Sequence, residues 1–73
     1  MGMPDPRRYV VVYTELRRRI EAGTYPRGSR LPTLGELSDE FDVARDTAQH
    51  ALQLLEEQGL AVRYPGLGYF VAD

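Results

Sequence analysis

The stretch LPTLGELSDEFDVARDTAQHALQLLEEQGL, residues 31–60, holds two short amphipathic helical patterns split by a tight break. Thr33 followed three residues later by Glu36 is a capping box, so a helix begins at Leu34. Leu34, Leu37 and Phe41 supply its apolar stripe, and Gly35 in its first turn weakens it by about 1 kcal/mol relative to alanine. Asp42-Val43-Ala44 changes direction within three residues, the turn length of a helix-turn-helix. A third helix is expected over 45–58, closed by Gly59. Ala48, Ala51, Leu52 and Leu55 face inward with Leu54 at the margin, and Arg45, Asp46, Gln49, His50 and Gln53 lie on the outward arc. Ala44 is a poor N-cap, partly compensated by Asp46 at the positive end of the helix dipole.

Outward from this stretch, the N-terminal side reads as a supporting helix. Asp5-Pro6 opens it, with the aspartate as cap and the proline at the first helical position. Tyr9, Val12, Tyr13, Leu16 and Ile20 recur at helical spacing as a core stripe, and Gly23 closes the last turn. Arg17, Arg18 and Arg19 suit the negative end of the dipole and read first as a solvated face, with phosphate contact as the sharper alternative. Pro26 and Gly28 punctuate an irregular connection, and Ser29-Arg30-Leu31 is a candidate short strand.

On the C-terminal side, Leu60 to Tyr64 and Tyr69-Phe70-Val71 flank the turn Pro65-Gly66-Leu67-Gly68 and read as a hairpin. A lone hairpin is unstable in water, so this one must pack on the helices. The expected fold is therefore mainly α with a small β-hairpin: three helices plus a two- to three-stranded antiparallel wing, a winged helix-turn-helix. Residues 1–5 are a tail, in which Met1-Gly2 reads as a cloning scar before a natural start at Met3. Residues 6–73 form the domain.

Seventy-three residues make one small, marginally stable domain. No cysteine is present, which excludes disulfides and thiolate metal sites and fits a reducing, cytoplasmic setting. No apolar run approaches the roughly 18 residues needed to cross a membrane, so no membrane partner is expected. Net charge is −2, unlike the basic balance of most nucleic-acid binders. Its distribution is uneven: residues 1–30 carry seven arginines against three acids, while residues 31–60 carry Arg45 against seven acids. Phosphate attraction is thus expected mainly from the first segment.

Catalytic chemistry finds little footing. His50 has no cysteine or serine companion, and Asp46 one turn earlier is an ordinary i, i+4 partner, so a surface ion pair or a plain solvated histidine is expected rather than a general base. Glu36, Asp39, Glu40 and Asp42 lack calcium-ligand spacing, and Gly66-Leu67-Gly68 joins two strands instead of opening a helix, so no metal or cofactor is expected. Double-stranded DNA uses the whole arrangement. A helix in the major groove reads base edges with its first turns, here Arg45, Thr47, Gln49 and Gln53.

The runs ELRRRIEAGTYPRGSRLPT (residues 15–33), VARDTAQHALQLLEEQGL (43–60) and GLGYFV (66–71) resemble the DNA-binding domain of the GntR family of bacterial transcription regulators, over about Tyr9 to Val71. The resemblance implies homodimers on inverted-repeat operators, helix 45–58 in the major groove and wing 64–70 in the minor groove. It also implies an effector-binding domain after the wing, so an effector is a partner only where such a domain follows. Residue chemistry and resemblance together give the candidate DNA-contacting set: Arg8, Thr33, Arg45, Asp46, Thr47, Gln49, His50, Gln53, Arg63, Gly66, Leu67 and Gly68. Gly35 stands where the family usually has an arginine, and Leu34 where it has a glutamate. Ala44 replaces a serine, Gln49 an arginine, His50 a glutamate and Leu67 a frequently basic residue. The alternative function is a winged-helix protein-interaction or dimerisation module with weak or lost DNA binding.

Overall fold

The computed structural model describes residues 7–73. In chain order these form α1 (Arg8–Glu21), α2 (Leu34–Phe41), α3 (Arg45–Glu57), β1 (Ala61–Tyr64) and β2 (Gly68–Val71). The expected opening cap, Asp5-Pro6, lies outside the described residues. α1 packs most extensively on α3, α2 packs on α3, and α3 carries β1. The core gathers Val12 and Leu16 of α1, Leu37 of α2 and Ala48, Ala51, Leu52 and Leu55 of α3, closed on the wing side by Leu31, Ala61, Tyr69 and Val71.

The α1 stripe is shorter than its periodicity suggests. Val12 and Leu16 are fully buried, and Tyr13 and Ile20 pack at the core's edge, but Tyr9 is only half-buried. Where Tyr9 meets α3, the facing side chain is the imidazole of His50 rather than an apolar group. The two rings stack with centroids 3.8 Å apart and planes 12° from parallel. At the other end of the stripe, Gly23 follows the cap Ala22 as expected.

α2 starts as its sequence dictates. Thr33 Oγ1 accepts from the Glu36 N–H at 3.2 Å, and Glu36 Oε1 accepts from the Thr33 N–H at 2.8 Å. Each bond satisfies an amide that the helix itself leaves unpaired. Gly35 sits in the first turn with ordinary helical backbone, and a Cβ there would stand 3.4 Å from Arg45 Nη2, a normal contact with the free end of a long side chain. Gly35→Ala is therefore expected to stabilise the domain by about 1 kcal/mol. The gain would be read as a higher urea midpoint at unchanged slope. A lower midpoint would mean that the packing of Arg45 outweighs the helix gain.

α3 has no side-chain cap at Ala44, and it ends at Glu57 with Gln58 as its C-cap, one residue short of the expected span. β1 and β2 pair antiparallel with Val62 opposite Phe70 and Arg63 opposite Tyr69. Their connection, Tyr64-Pro65-Gly66-Leu67, is closed by the Leu67 N–H to the Tyr64 carbonyl at 2.9 Å, with Gly66 at φ 80°. Proline second and a positive-φ glycine third is the type II pattern. The expected third strand is reduced to one bridge, Arg30 with Phe70. Two bonds flank it, from the Leu31 N–H to the Tyr69 carbonyl and from the Val71 N–H to the Ser29 carbonyl, both 2.8 Å.

Candidate nucleic-acid interface

The corner between α2 and α3 is built from side chains of two helices. Asp42 adopts the left-handed conformation at φ 54°, which aspartate tolerates better than most residues, and so ends α2. Ser38 Oγ donates to the Val43 carbonyl at 2.6 Å, and the Val43 N–H returns to the Ser38 carbonyl at 3.2 Å. From α1, Arg8 Nη2 donates to the carbonyls of Phe41 and Asp42, at 3.3 and 2.5 Å. The structure thus places Arg8 on the helix-turn-helix corner as a fastener, with its charge at the negative end of the α2 dipole.

On α3, Arg45, Gln49 and Gln53 recur at steps of four and share one strip of surface. Arg45 is exposed at the first helical position, and its guanidinium lies over Gly35 of α2. Gln49 and Thr47 are half-buried, while Asp46 and Gln53 are exposed. His50 is exposed beside this strip, with one face of its ring against Tyr9 of α1. An Asp46–His50 ion pair is absent among the described residues, because the imidazole lies flat against that ring. Arg63, Gly66, Leu67 and Gly68 stand on the wing, with Leu67 60% exposed at its tip. Thr33 is occupied as the α2 cap, with its hydroxyl proton left to donate.

Charge is sorted across the molecule in a way the sequence does not show. The Arg17–Arg19 run is committed to acids: Arg17 pairs with Glu21 at 3.1 Å, Arg18 with Glu15 at 2.7 Å, and Arg19 with Glu15 at 2.8 Å and with Glu40. Hydrogen bonds from Arg18 and then Arg19 hold the Glu15 carboxyl down at about 2. Arg19 likewise lowers Glu40, and Glu40 and the Tyr25 hydroxyl raise Arg19. Arg19 also lies 5.5 Å from the Phe41 ring centre, tying α1 to α2. Within the first segment, the charge of the Arg17–Arg19 run is thus matched by acids, whereas Arg8 rests on backbone carbonyls and keeps its charge. Arg30, Arg45 and Arg63 have no acid partner among the described residues.

The model of the bacterial regulatory proteins of the gntR family matches residues 8–71. The chain belongs to the GntR family. It is 45% identical over 66 residues to the Escherichia coli HTH-type transcriptional regulator YjiR, covering 90% of this chain and 14% of that protein. It is 36% identical over 73 residues to the histidine utilization repressor of Pseudomonas putida, covering all of this chain and 29% of that one. The chain thus spans less than a third of the length of each of these relatives. Among solved structures, the DNA-binding domain of AraR in complex with operator ORR3 superposes with a TM-score of 0.85 at 35% identity, over 89% of this chain and 78% of that one. The architecture of this GntR-family chain is a winged helix-turn-helix.

Within the family frame, the departures have physical settings. Gly35 leaves open the space into which Arg45 leans. Gln49 is half-buried on the strip that Arg45 begins, and Ala44 leaves the α3 amides without a side-chain cap. Sequence reasoning missed three features: the Tyr9–His50 stack, the Arg19–Glu40 tie and Arg30, whose guanidinium crosses Gly68 of the wing. The alternation of Arg30 with buried Leu31 beside a strand was the available signal for the last.

Proposed function

We propose that this chain is a sequence-specific DNA-binding module for transcriptional regulation. α3 lies in the major groove, with Arg45, Thr47, Gln49 and Gln53 toward base edges and nearby phosphates. The wing, through Arg63, Gly66, Leu67 and Gly68, follows the minor groove, and Thr33 donates to phosphate. Arg8 and His50 hold this surface in place, and Asp46 tempers its charge. The single observation that carries the reading is the acid-free Arg45 at the first turn of α3, on a scaffold shared with a domain solved on its operators.

One such surface makes few contacts, so a homodimer on an inverted repeat supplies working affinity by linking two half-sites. The protein acts in the cytoplasm without catalysis or cofactor. An effector enters through whatever further domain accompanies it, as the greater length of its relatives suggests.

A second reading, a protein-interaction or self-association module, is favoured by Val10 and Val11, which leave an apolar edge on α1 at 43% and 63% exposure. Low-salt anisotropy titration against a pool of short duplexes separates the two. Selection of an inverted-repeat site by the chain, or by two tethered copies, is the expected result. Failure of the tethered pair to select any duplex defeats the DNA reading.

A further inference from the structure

Between the segment entering α2 and the wing lies a cleft of about 310 Å³, floored by Leu52 and edged by Thr33, Gly66 and Gly68. Two arginines line it, Arg30 and Arg63, and no carboxylate does. Both are exposed, and neither has an ion-pair or hydrogen-bond partner among the described residues. In a chain of net charge −2, whose acids elsewhere take up Arg17, Arg18 and Arg19, this is a local excess of uncommitted guanidinium.

The backbone under Arg30 is fixed. Its neighbours on either side bond to β2, so the residue cannot swing away from the wing. Its Nε and Nη2 atoms would lie 3.7 and 3.8 Å from a Cβ on Gly68, so the guanidinium rests across bare backbone. Gly68 stands at φ 112°, where side chains are strained, which keeps that path open. Arg63 is held on the strand opposite Tyr69.

We propose that Arg30 and Arg63, which the register with Phe70 and Tyr69 sends to opposite faces of the sheet, each grip a phosphate of the DNA backbone and so form a phosphate clamp about the root of the wing. The inference rests on the DNA reading above and adds a contact, Arg30, to it. Arginine suits the task because its planar fork can donate two parallel hydrogen bonds to one phosphate. The clamp positions the wing and reads no base.

Salt-dependent anisotropy on the selected duplex tests it, using the whole chain and the variants Arg30→Ala, Arg63→Ala and Arg30→Lys. Arg27→Ala serves as control, since Arg27 lines a separate cleft beside Asp73. Each clamp alanine is expected to reduce the slope of log K against log salt by about 0.9 while leaving base preference unchanged. Arg30→Lys should restore the slope but not the full affinity. Wild-type binding with slopes unaltered by either alanine overturns the clamp and leaves the DNA reading standing; absence of wild-type selection overturns both. An equal loss in Arg27→Ala would reduce the effect to general charge, which also overturns it. So would saturable binding of inorganic phosphate alone with no change on DNA. Matched thermal melts show that each variant is folded.

Discussion

Leu16→Ala is expected to leave the domain largely unfolded at room temperature. Leu16 has no exposed surface, and it stands at the centre of α1 on the face that meets α3. Removing three buried carbons takes away transfer free energy and leaves a cavity, together worth about 2–5 kcal/mol. A chain of 73 residues has little to spare, since a core this small rarely supplies more than about 3–5 kcal/mol in all. The urea transition should move to the start of the titration or vanish. Val11→Ala, on the same helix at 63% exposure, should change stability by no more than about 0.5 kcal/mol. Equal midpoints for the two variants would mean that α1 does not bury the face described.

The contrast also shows which parts of the fold are legible in the chain. Periodicity and caps are local, so the α2 capping box, the Asp42-Val43-Ala44 corner and the inward set of α3 can be read directly. What pairs across elements cannot. Periodicity marks Tyr9 as core, but its fate depends on His50, far along the chain and hidden until α1 lies across α3. Arg19 reads as a surface charge until α2 brings Glu40 beside it. Arg30 reads as part of a candidate short strand, but its place across Gly68 is hidden until the Phe70 bridge sets it against the wing. These features all belong to the support or margin of the interface, whereas the strip on α3 follows from spacing alone.

Sorting of charge reconciles an acidic chain with a polyanionic partner. Glu15, Glu21 and Glu40 pair with arginines on α1, away from the α3–wing cleft. Such exposed pairs add little stability each. Their larger effect is to spend positive and negative charge on each other, leaving Arg30, Arg45 and Arg63 without an ion-pair partner among the described residues, at a surface whose field reaches about 8 Å, the Debye length. Net charge averages over this arrangement and so understates the local field.

Arg45→Ala carries the heaviest functional consequence. The residue opens α3, extends from its first turn and has no acid partner among the described residues. The side chain is exposed and lies over Gly35 of α2 with no ion pair or hydrogen bond of its own among the described residues, so truncation should leave the fold intact. Gln49, on the same strip, cannot substitute, because its amide suits adenine whereas the guanidinium fork matches guanine O6 and N7. Loss of one bidentate base contact should cost about 1–3 kcal/mol, roughly 5- to 150-fold, with the preference erased at a single position of the site. A dimer loses the contact in both half-sites, so the combined effect on an inverted repeat approaches the square of that factor. Competition against duplexes mutated one base pair at a time reads it out. Uniform weakening across all sequences, with the salt slope reduced by about 0.9, would instead place Arg45 on the phosphate backbone and move base reading to Gln49 and Gln53.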